Sequence, residues 1–205
     1  MLILWEAESG EEIWNLPLPG AGVAVWSPDG SRMAVTTWDG HASIRDAATG
    51  EVQISFSEDS YAWWEGVAWS SDGEKLVTFS EGNGGIFDTT TGELLVELSS
   101  RFTSSVWDIF WSPGDERIFA IGGDGTYRVF DAATGLELLV YEFGGWPAGS
   151  LSPDGRKITI GTNDGKTGLY HAWLTTEDLI AYAKECCVVR ELTPEEREVF
   201  GLPER

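Results

Sequence analysis

The sequence predicts an all-β fold built from repeated four-stranded antiparallel sheets, and two recurring elements carry this prediction. The first is of the type Ser-Pro-Asp-Gly, and its serines are Ser27, Ser70, Ser112 and Ser152. The second is of the type Asp-Ala-Ala-Thr-Gly, and its glycines are Gly10, Gly50, Gly92 and Gly135. Both elements keep a period of 40 to 43 residues. The segments between them are short and rich in β-branched and aromatic residues, which is typical of strands.

Each recurring element has the chemistry of a tight turn. Pro28 fixes φ at the first corner, Asp29 can accept local backbone hydrogen bonds, and Gly30 can adopt a positive φ. In the second element, Asp46 can accept backbone N–H groups across a turn that Gly50 closes. The repetition therefore predicts repeated hairpins and not four copies of a functional site.

One repeat contains four predicted strands, at residues 22–26, 33–37, 41–45 and 51–56. Four short strands joined by three hairpin connections form one blade of a β-propeller. A blade has two apolar faces and becomes stable only when neighbouring blades cover them. The predicted fold class is therefore an all-β propeller of four-stranded antiparallel blades, with about four and a half repeats and a short α-helical tail.

We assign residues 1–173 to the propeller segment and residues 174–205 to the tail, whose apolar residues lie at helical spacing. The blade units are residues 1–20 (partial), 21–62, 63–104, 105–145 and 146–173 (partial). Three explanations for this incomplete count stay open. In the first, which we favour, the chain is the C-terminal part of a longer propeller protein. In the second, it is a small propeller closed by pairing segment 11–18 with segment 167–173. In the third, several copies form a ring. Open blade edges predict self-association.

At these residues the sequence resembles the WD-repeat β-propeller family. The closing Trp-Asp dipeptide of that family is represented by Arg45-Asp46, Phe87-Asp88 and Phe130-Asp131. The Gly-His pair that opens the family's repeats is missing, so we expect packing of Trp26, Trp69 and Trp111 to replace the family's buried His–Ser/Thr–Trp network. The tail resembles one that follows bacterial WD-repeat propellers, with matching residues Arg190, Leu192, Thr193 and Glu196. The resemblance implies a bacterial interaction scaffold.

The net charge and the cysteines limit which partners and which cellular compartment we expect. The chain has 13 Lys and Arg against 34 Asp and Glu, a formal net charge of −21. Such a field repels phosphate backbones and anionic lipid headgroups, so neither nucleic acid nor a membrane is an expected partner. The sequence has no apolar run long enough to span a membrane and no secretion signal at its start. The adjacent Cys186 and Cys187 suit buried thiols in a reducing compartment, so we expect a cytoplasmic protein.

The residues offer little catalytic chemistry. The two histidines, His41 and His171, occupy repeat-equivalent positions without converging acid, base or nucleophile partners. No Cys-x-x-Cys, His-Glu-x-x-His or calcium-loop spacing occurs, so no metal or cofactor is expected. The sequence therefore indicates a protein that is not an enzyme.

Binding through one rim of the propeller is the preferred functional prediction. The loops between blades share this rim with the turns between the second and third strands. Repeat alignment places there Trp38, Trp63, Glu65, Glu81, Trp107 and Asn163. Tryptophan is enriched at interaction hot spots, although Trp63 and Trp107 could instead wedge between blades.

Acidic neighbours of these tryptophans favour a basic peptide or protein surface as the partner. The predicted function is a non-enzymatic protein–protein interaction module or scaffold. The alternative is the C-terminal sensor or regulatory portion of a larger signalling protein, such as a nucleotide-hydrolysing switch protein.

Overall fold

The structure is a computed structural model that describes residues 1–37, 41–57, 64–80, 83–98 and 102–172, together with Ile180, Ala181 and Lys184. The side chains of Ser57, Trp64, Glu65 and Ser80 lie outside this description. The chain divides into two compact units, Met1–Ala172 and Trp173–Arg205. The strands belong to the first unit.

Within the described residues, the strands form five separate antiparallel sheets. A two-stranded hairpin comes first, with β1 (Leu2–Trp5) and β2 (Glu12–Leu16). Sheet I consists of β3 (Ala21–Trp26), β4 (Arg32–Thr37), β5 (His41–Asp46) and β6 (Val52–Ser57). Sheet II consists of β7 (Trp64–Trp69), β8 (Lys75–Ser80), β9 (Asn83–Asp88) and β10 (Leu94–Leu98).

The last two sheets continue the same order. Sheet III consists of β11 (Val106–Trp111), β12 (Arg117–Gly122), β13 (Thr126–Asp131) and β14 (Glu137–Glu142). Sheet IV has three strands, β15 (Pro147–Leu151), β16 (Lys157–Thr162) and β17 (Thr167–His171). In each sheet the strands pair with their neighbours in the chain, and the first strands β3, β7, β11 and β15 contact one another in that order. The predicted all-β propeller fold of four-stranded blades is confirmed.

The recurring turns form as their residues predict. Asp29 accepts hydrogen bonds from the Ser27 hydroxyl at 2.6 Å and from the Ser31 backbone N–H at 3.1 Å, and Gly30 has φ +71°. Asp46 accepts from the backbone N–H groups of Ala48 and Thr49 at 3.0 and 2.9 Å. These local bonds replace the backbone partners that a tight turn cannot provide.

The core lies between successive sheets. One cluster joins sheets I and II through buried residues such as Ile44 and Leu76, and a larger one joins sheets II and III through Val77, Ile118 and Phe130. Sheet II buries one face against sheet I and the other against sheet III. Lateral stacking of sheets is therefore the main source of apolar burial.

Tryptophan side chains link consecutive sheets at equivalent positions. The indole Nε1 of Trp69 in sheet II donates to the Val25 carbonyl of sheet I at 3.2 Å, and Trp111 of sheet III donates to the Ala68 carbonyl of sheet II at 3.1 Å. Arg32 of sheet I donates in the opposite direction, to the Gly73 and Thr89 carbonyls of sheet II at 2.8 and 2.9 Å. Side-chain donors therefore link sheets I, II and III in addition to their apolar packing.

Trp26 departs from the expectation that it packs like Trp69 and Trp111. Its ring is half exposed, because the β1–β2 hairpin covers only the outer part of this face of sheet I. Trp14 of the hairpin donates to the Ala47 carbonyl at 3.0 Å, but none of the described strands lies against the inner part. β2 and β17 belong to different sheets, so the single chain is not closed by the pairing that one of the three explanations required.

The predicted helical tail, residues 174–205, lies almost entirely outside the described residues. Ile180, Ala181 and Lys184 are described, and they are helical. The rest of the tail, including Cys186 and Cys187, stays a prediction. Among the described residues, no helix is long and apolar enough to cross a membrane.

Replacing Trp69 with Phe should lower the free energy of unfolding by about 1–3 kcal/mol, because the Val25 carbonyl loses its indole donor and the smaller ring leaves a gap. Urea denaturation followed by circular dichroism measures this difference. Trp5→Phe is the control, because Trp5 is exposed and should change stability by less than about 0.5 kcal/mol. Equal effects of the two substitutions would contradict the role of the cross-sheet bond.

Replacing Asp29 with Asn should reduce the loss of stability in acid. Hydrogen bonds from Ser27 and then Ser31 lower the pKa of Asp29 to about 2 in the folded chain. A lowered folded pKa stabilises the fold above the ordinary carboxylate range, and this contribution disappears as the pH falls from about 4 to about 2. Urea denaturation at several pH values measures the difference between Asp29→Asn and the unsubstituted chain. Glu8→Gln, at an exposed carboxylate outside this turn, is the matched control for the loss of one negative charge.

Candidate functional site

The candidate site lies at one end of the sheets, which we call the rim. Because neighbouring strands are antiparallel, the β12–β13 turn, the β14–β15 connection and the β16–β17 turn all lie at this end. The repeated turns that begin at Ser112 and Ser152 lie at the opposite end. The rim therefore contains the less regular connections, which is where binding residues usually concentrate.

A β-bulge positions Trp107 on the rim. Val106 pairs with Gly122 and Asp108 pairs with Ile121, so Trp107 is an extra residue with no partner in the ladder. Bulges redirect a side chain out of the regular alternation of a strand. Gly123 completes the arrangement, since a Cβ at that position would lie 2.9 Å from Cζ2 of the indole ring.

A second tryptophan lies against Trp107. The ring of Trp146, in the connection before β15, meets the ring of Trp107 edge to face, with centroids 5.9 Å apart. The Trp146 backbone N–H donates to Oδ1 of Asn163 in the β16–β17 turn at 3.3 Å. We call Trp107, Trp146 and Asn163 the tryptophan platform.

The platform is open to solvent. Trp107 is 43% exposed and Trp146 is 63% exposed, and Asn163 beside them is exposed too. Two large aromatic rings held together at a surface present apolar area that loses little side-chain entropy on binding. The platform can therefore act as an anchor for a partner.

Hydrogen bonds between loops hold the platform in place. The Phe143 backbone N–H donates to the Gly125 carbonyl at 2.8 Å, and the Gly123 N–H donates to the Ser105 carbonyl at 2.7 Å. Asp124 accepts from the Thr103 N–H at 3.0 Å and from the Thr126 hydroxyl at 2.6 Å. The segments that precede β11 and follow β14 are thus both hydrogen-bonded to the β12–β13 turn of sheet III. The two tryptophans next to these segments are therefore preorganised.

Carboxylates surround the platform. Burial raises the pKa of Asp124, but hydrogen bonds from Thr126 and Thr103 and the charge of Arg128 outweigh this effect, so the net shift is downward. Hydrogen bonds from Lys166 and then Thr162 lower the pKa of Asp164 to about 2. Both groups are therefore ionised at neutral pH. Asp108 accepts the Gly149 N–H at 3.2 Å and has no ion-pair partner among the described residues.

The structure describes part of the predicted rim set. Trp107 and Asn163 are exposed on the rim, as placed from the repeat alignment, and Trp146 brings them together. Glu65 occupies the same bulge position in β7 as Trp107 does in β11, although its side chain is outside the description. Trp38, Trp63 and Glu81 lie outside the described residues. A binding role for all six residues stays a prediction.

Sequence reasoning missed Trp146 because it read this residue as the start of the fourth unit. The available signal was the Gly-Gly-Trp-Pro segment at residues 144–147, whose two glycines both adopt positive φ. Two consecutive glycines of that kind indicate an irregular connection and not a strand.

Among the described residues, no second set of chemical groups converges on one point. His41 begins β5 at the rim and His171 ends β17 at the opposite end, in different sheets. Among the described residues, no group of three or more His, Cys, Asp or Glu side chains could hold a metal ion. A cleft of about 490 Å³ lies near the inner ends of Trp69, Trp111 and Leu151, and its walls are mostly apolar.

Comparison with known proteins gives a family and a fold. A family profile described as "Outer membrane protein assembly factor BamB" matches residues 1–178. An uncharacterized WD repeat-containing protein of Synechocystis sp. is 29% identical over 138 residues, which are 66% of this chain and 39% of that protein. The chain thus spans about two-fifths of the length of this curated relative.

Two crystal structures of computationally designed proteins share the fold at 18% identity. The Ika4 protein has a TM-score of 0.67, and the match covers 80% of this chain and 99% of Ika4. The Ika8 protein has a TM-score of 0.68, and the match covers 82% of this chain and 51% of Ika8.

Replacing Gly145 with Ala should distort the platform more than replacing Gly144 with Ala. Both glycines have nearly equal positive φ, so both substitutions carry similar backbone strain, roughly 1 kcal/mol. Only at Gly145 would the new Cβ meet Oδ1 of Asn163, at 2.5 Å, while the space around Gly144 is open. The ultraviolet circular dichroism of the coupled indole pair should change in Gly145→Ala and stay unchanged in Gly144→Ala. The reverse pattern would refute the assigned geometry.

Proposed function

The chain belongs to the repeat family described as outer membrane protein assembly factor BamB, and we propose that it is a non-enzymatic protein–protein interaction module. The observation that carries the proposal is the exposed, preorganised pair of Trp107 and Trp146 on the rim. An exposed aromatic pair on a rigid sheet scaffold suits the anchoring of a partner chain.

The partner in this proposal is a protein or peptide with a basic surface. The rim carries the carboxylates of Asp108, Asp124, Glu142 and Asp164, while Lys166 and Arg128 offset only part of that charge. The chain as a whole has a net charge of −21, which attracts cationic partners over a distance and steers them toward the surface. An Arg or Lys side chain could also lie against the indole faces.

Within β-propeller repeat proteins, we place the chain in the WD-repeat group. The closing dipeptides fall at the ends of third strands, where Asp46, Asp88 and Asp131 end β5, β9 and β13. The WD repeat-containing relative supports this assignment. The family description names a factor in the assembly of membrane proteins, and such a role likewise needs protein partners. A cytoplasmic location is also part of the proposal and rests on the adjacent Cys186 and Cys187.

The proposal includes self-association through the open edges of the outer sheets. Sheet IV has three strands and the hairpin has two, whereas each inner sheet has four. Each end of the array therefore presents an open strand edge to which another chain could add.

A second candidate function is a sensor or regulatory portion of a larger signalling protein. The greater length of the WD repeat-containing relative favours it. Genomic sequence upstream of residue 1 separates the two functions: an in-frame phosphate-binding loop would favour the regulatory portion, and an exclusively propeller-like extension would favour the scaffold.

Replacing both Trp107 and Trp146 with Ala should lower the affinity for basic peptides by roughly 30-fold or more, because the aromatic anchor is lost. The probe is a set of lysine- and arginine-rich peptides containing one aromatic residue, with acidic peptides of equal length for comparison. Isothermal titration calorimetry measures the binding, which should weaken with added salt.

The matched control for this experiment is Trp5→Ala. Trp5 is 54% exposed, but it ends β1 at the end of the sheets opposite the rim. Its loss should leave peptide affinity unchanged. Equal binding of acidic and basic peptides, or equal loss in both variants, would contradict a rim-based interaction function.

A further inference from the structure

The two ends of the sheet array carry uncovered surfaces that match surfaces buried inside it. We call the surface of sheet I around Ala24 and Trp26, both exposed, the first face. We call the surface of sheet IV around Ser150, Thr159 and Leu169 the last face. Each face has counterparts at equivalent repeat positions in the inner sheets, so exposure can be compared position by position.

The first face lacks the cover that its counterparts have. Trp26 is 50% exposed, whereas the equivalent Trp69 is 9% exposed beneath sheet I. Trp69 and Trp111 donate their indole N–H groups to a carbonyl of the preceding sheet. No described residue accepts from the Trp26 indole.

The last face, at the opposite end of the array, likewise lacks the cover that its counterparts in the inner sheets have. Leu169 in β17 is 61% exposed, whereas the equivalent Ile44 in β5 is fully buried against sheet II. Thr159 in β16 is exposed, whereas the equivalents Ala34 and Val77 are buried. Both faces are therefore built like internal contacts, but among the described residues the first face is covered only in its outer part, by the β1–β2 hairpin, and no sheet lies against the last face.

The hydrogen-bond pattern shows how the two faces fit. Each inner tryptophan donates to the carbonyl of the residue before the equivalent tryptophan, Val25 for Trp69 and Ala68 for Trp111. In sheet IV, this position is Ser150. Its carbonyl accepts the Thr159 hydroxyl at 3.2 Å, in the role that an indole has at the Val25 and Ala68 carbonyls, so an indole from another copy would replace this hydroxyl.

We infer that a second copy of this chain seats its last face on the first face, with the Trp26 indole donating to the Ser150 carbonyl of the other copy. The contact continues the internal sheet–sheet interface, so its geometry is already built twice within each chain. Two such contacts close an assembly of two copies with about eight sheets, which is within the usual range of propellers. The inference deepens the self-association in the proposed function and does not depend on the rim.

The outer strands add one requirement. The β1–β2 hairpin occupies the third and fourth strand places of a sheet, and β17 occupies a third place. In the assembly, β1 of one copy and β17 of the other would both occupy the third strand position of the same sheet. One of these short strands must therefore move aside, which makes association slower than a rigid-body encounter.

Sedimentation equilibrium of the full chain at micromolar concentration tests the inference. We expect twice the mass of one 22.4 kDa chain. Association should strengthen with salt, because each copy carries a net charge of −21 and the contact itself is apolar. A monomer at all salt concentrations, or a multiple other than two, overturns the inference.

Two charge substitutions separate the faces. Trp26→Glu changes only the first face, and Thr159→Glu changes only the last face. Trp26 and Thr159 are both exposed, so each variant should fold and keep the β-rich circular dichroism of the unsubstituted chain. Each variant alone should be monomeric, because every contact in its assembly contains one altered face.

An equimolar mixture of the two variants should recover dimers, because the intact first face of one can meet the intact last face of the other. Recovery supports a head-to-tail contact, and dissociation without recovery overturns it. Trp26→Phe removes the N–H donor and part of the ring area, and should weaken the dimer by roughly 3- to 10-fold. Dimers unaffected by all three substitutions also overturn the inference.

The rim variant keeps the two proposals distinguishable. The chain with both Trp107 and Trp146 replaced by Ala should dimerise normally and lose peptide binding. Trp26→Glu should bind basic peptides and fail to dimerise. Failure of the first pattern counts against the rim function, and failure of the second counts against the paired faces.

Discussion

Every part of the structure depends on the stacking of one sheet's apolar face on the next. A single four-stranded sheet here has nothing to shield its two faces, and the buried residues of the chain lie almost wholly between neighbouring sheets. Burial of this kind has no direction of its own, so something must fix how the sheets are placed relative to one another. The indole-to-carbonyl bonds of Trp69 and Trp111 do so, because each is satisfied only at one distance and one orientation.

The rim combines this rigid base with irregular connections. The bulge at Trp107 and the positive-φ glycines before Trp146 interrupt the strand pattern where it no longer serves stacking. What results is an aromatic surface supported by loop-to-loop hydrogen bonds and bordered by ionised carboxylates. The proposed binding surface is thereby separated in space from the repeated turns: one end of each sheet carries these turns, and the other carries the less regular connections.

Much of the fold could be predicted from the sequence, because turn chemistry is local. Asp29, Gly30, Asp46 and Gly50 act within five residues of themselves, and the four strands of sheet I begin and end within one residue of the prediction. The exposure of Trp26 could not be predicted from its own neighbourhood, since it depends on whether another sheet precedes it. The pairing of Trp107 with Trp146 was equally hidden, because it joins residues about 40 positions apart through a bulge and an irregular loop. Asp115 shows the same limit. In its turn the order is Ser-Pro-Gly-Asp instead of Ser-Pro-Asp-Gly, and the Asp115 carboxylate accepts a hydrogen bond from the Ser71 hydroxyl of the preceding sheet.

One substitution within the repeat has a mechanical consequence. Leu151 stands where Trp69 and Trp111 stand in earlier sheets, so the junction between sheets III and IV has no indole donor. Its polar link is the 3.2 Å bond between Asp108 and the Gly149 N–H. In an array where each sheet is held only by its neighbours, the weakest junction determines where local opening starts. We therefore expect sheet IV to be the first sheet to separate when the array unfolds, ahead of the three complete sheets.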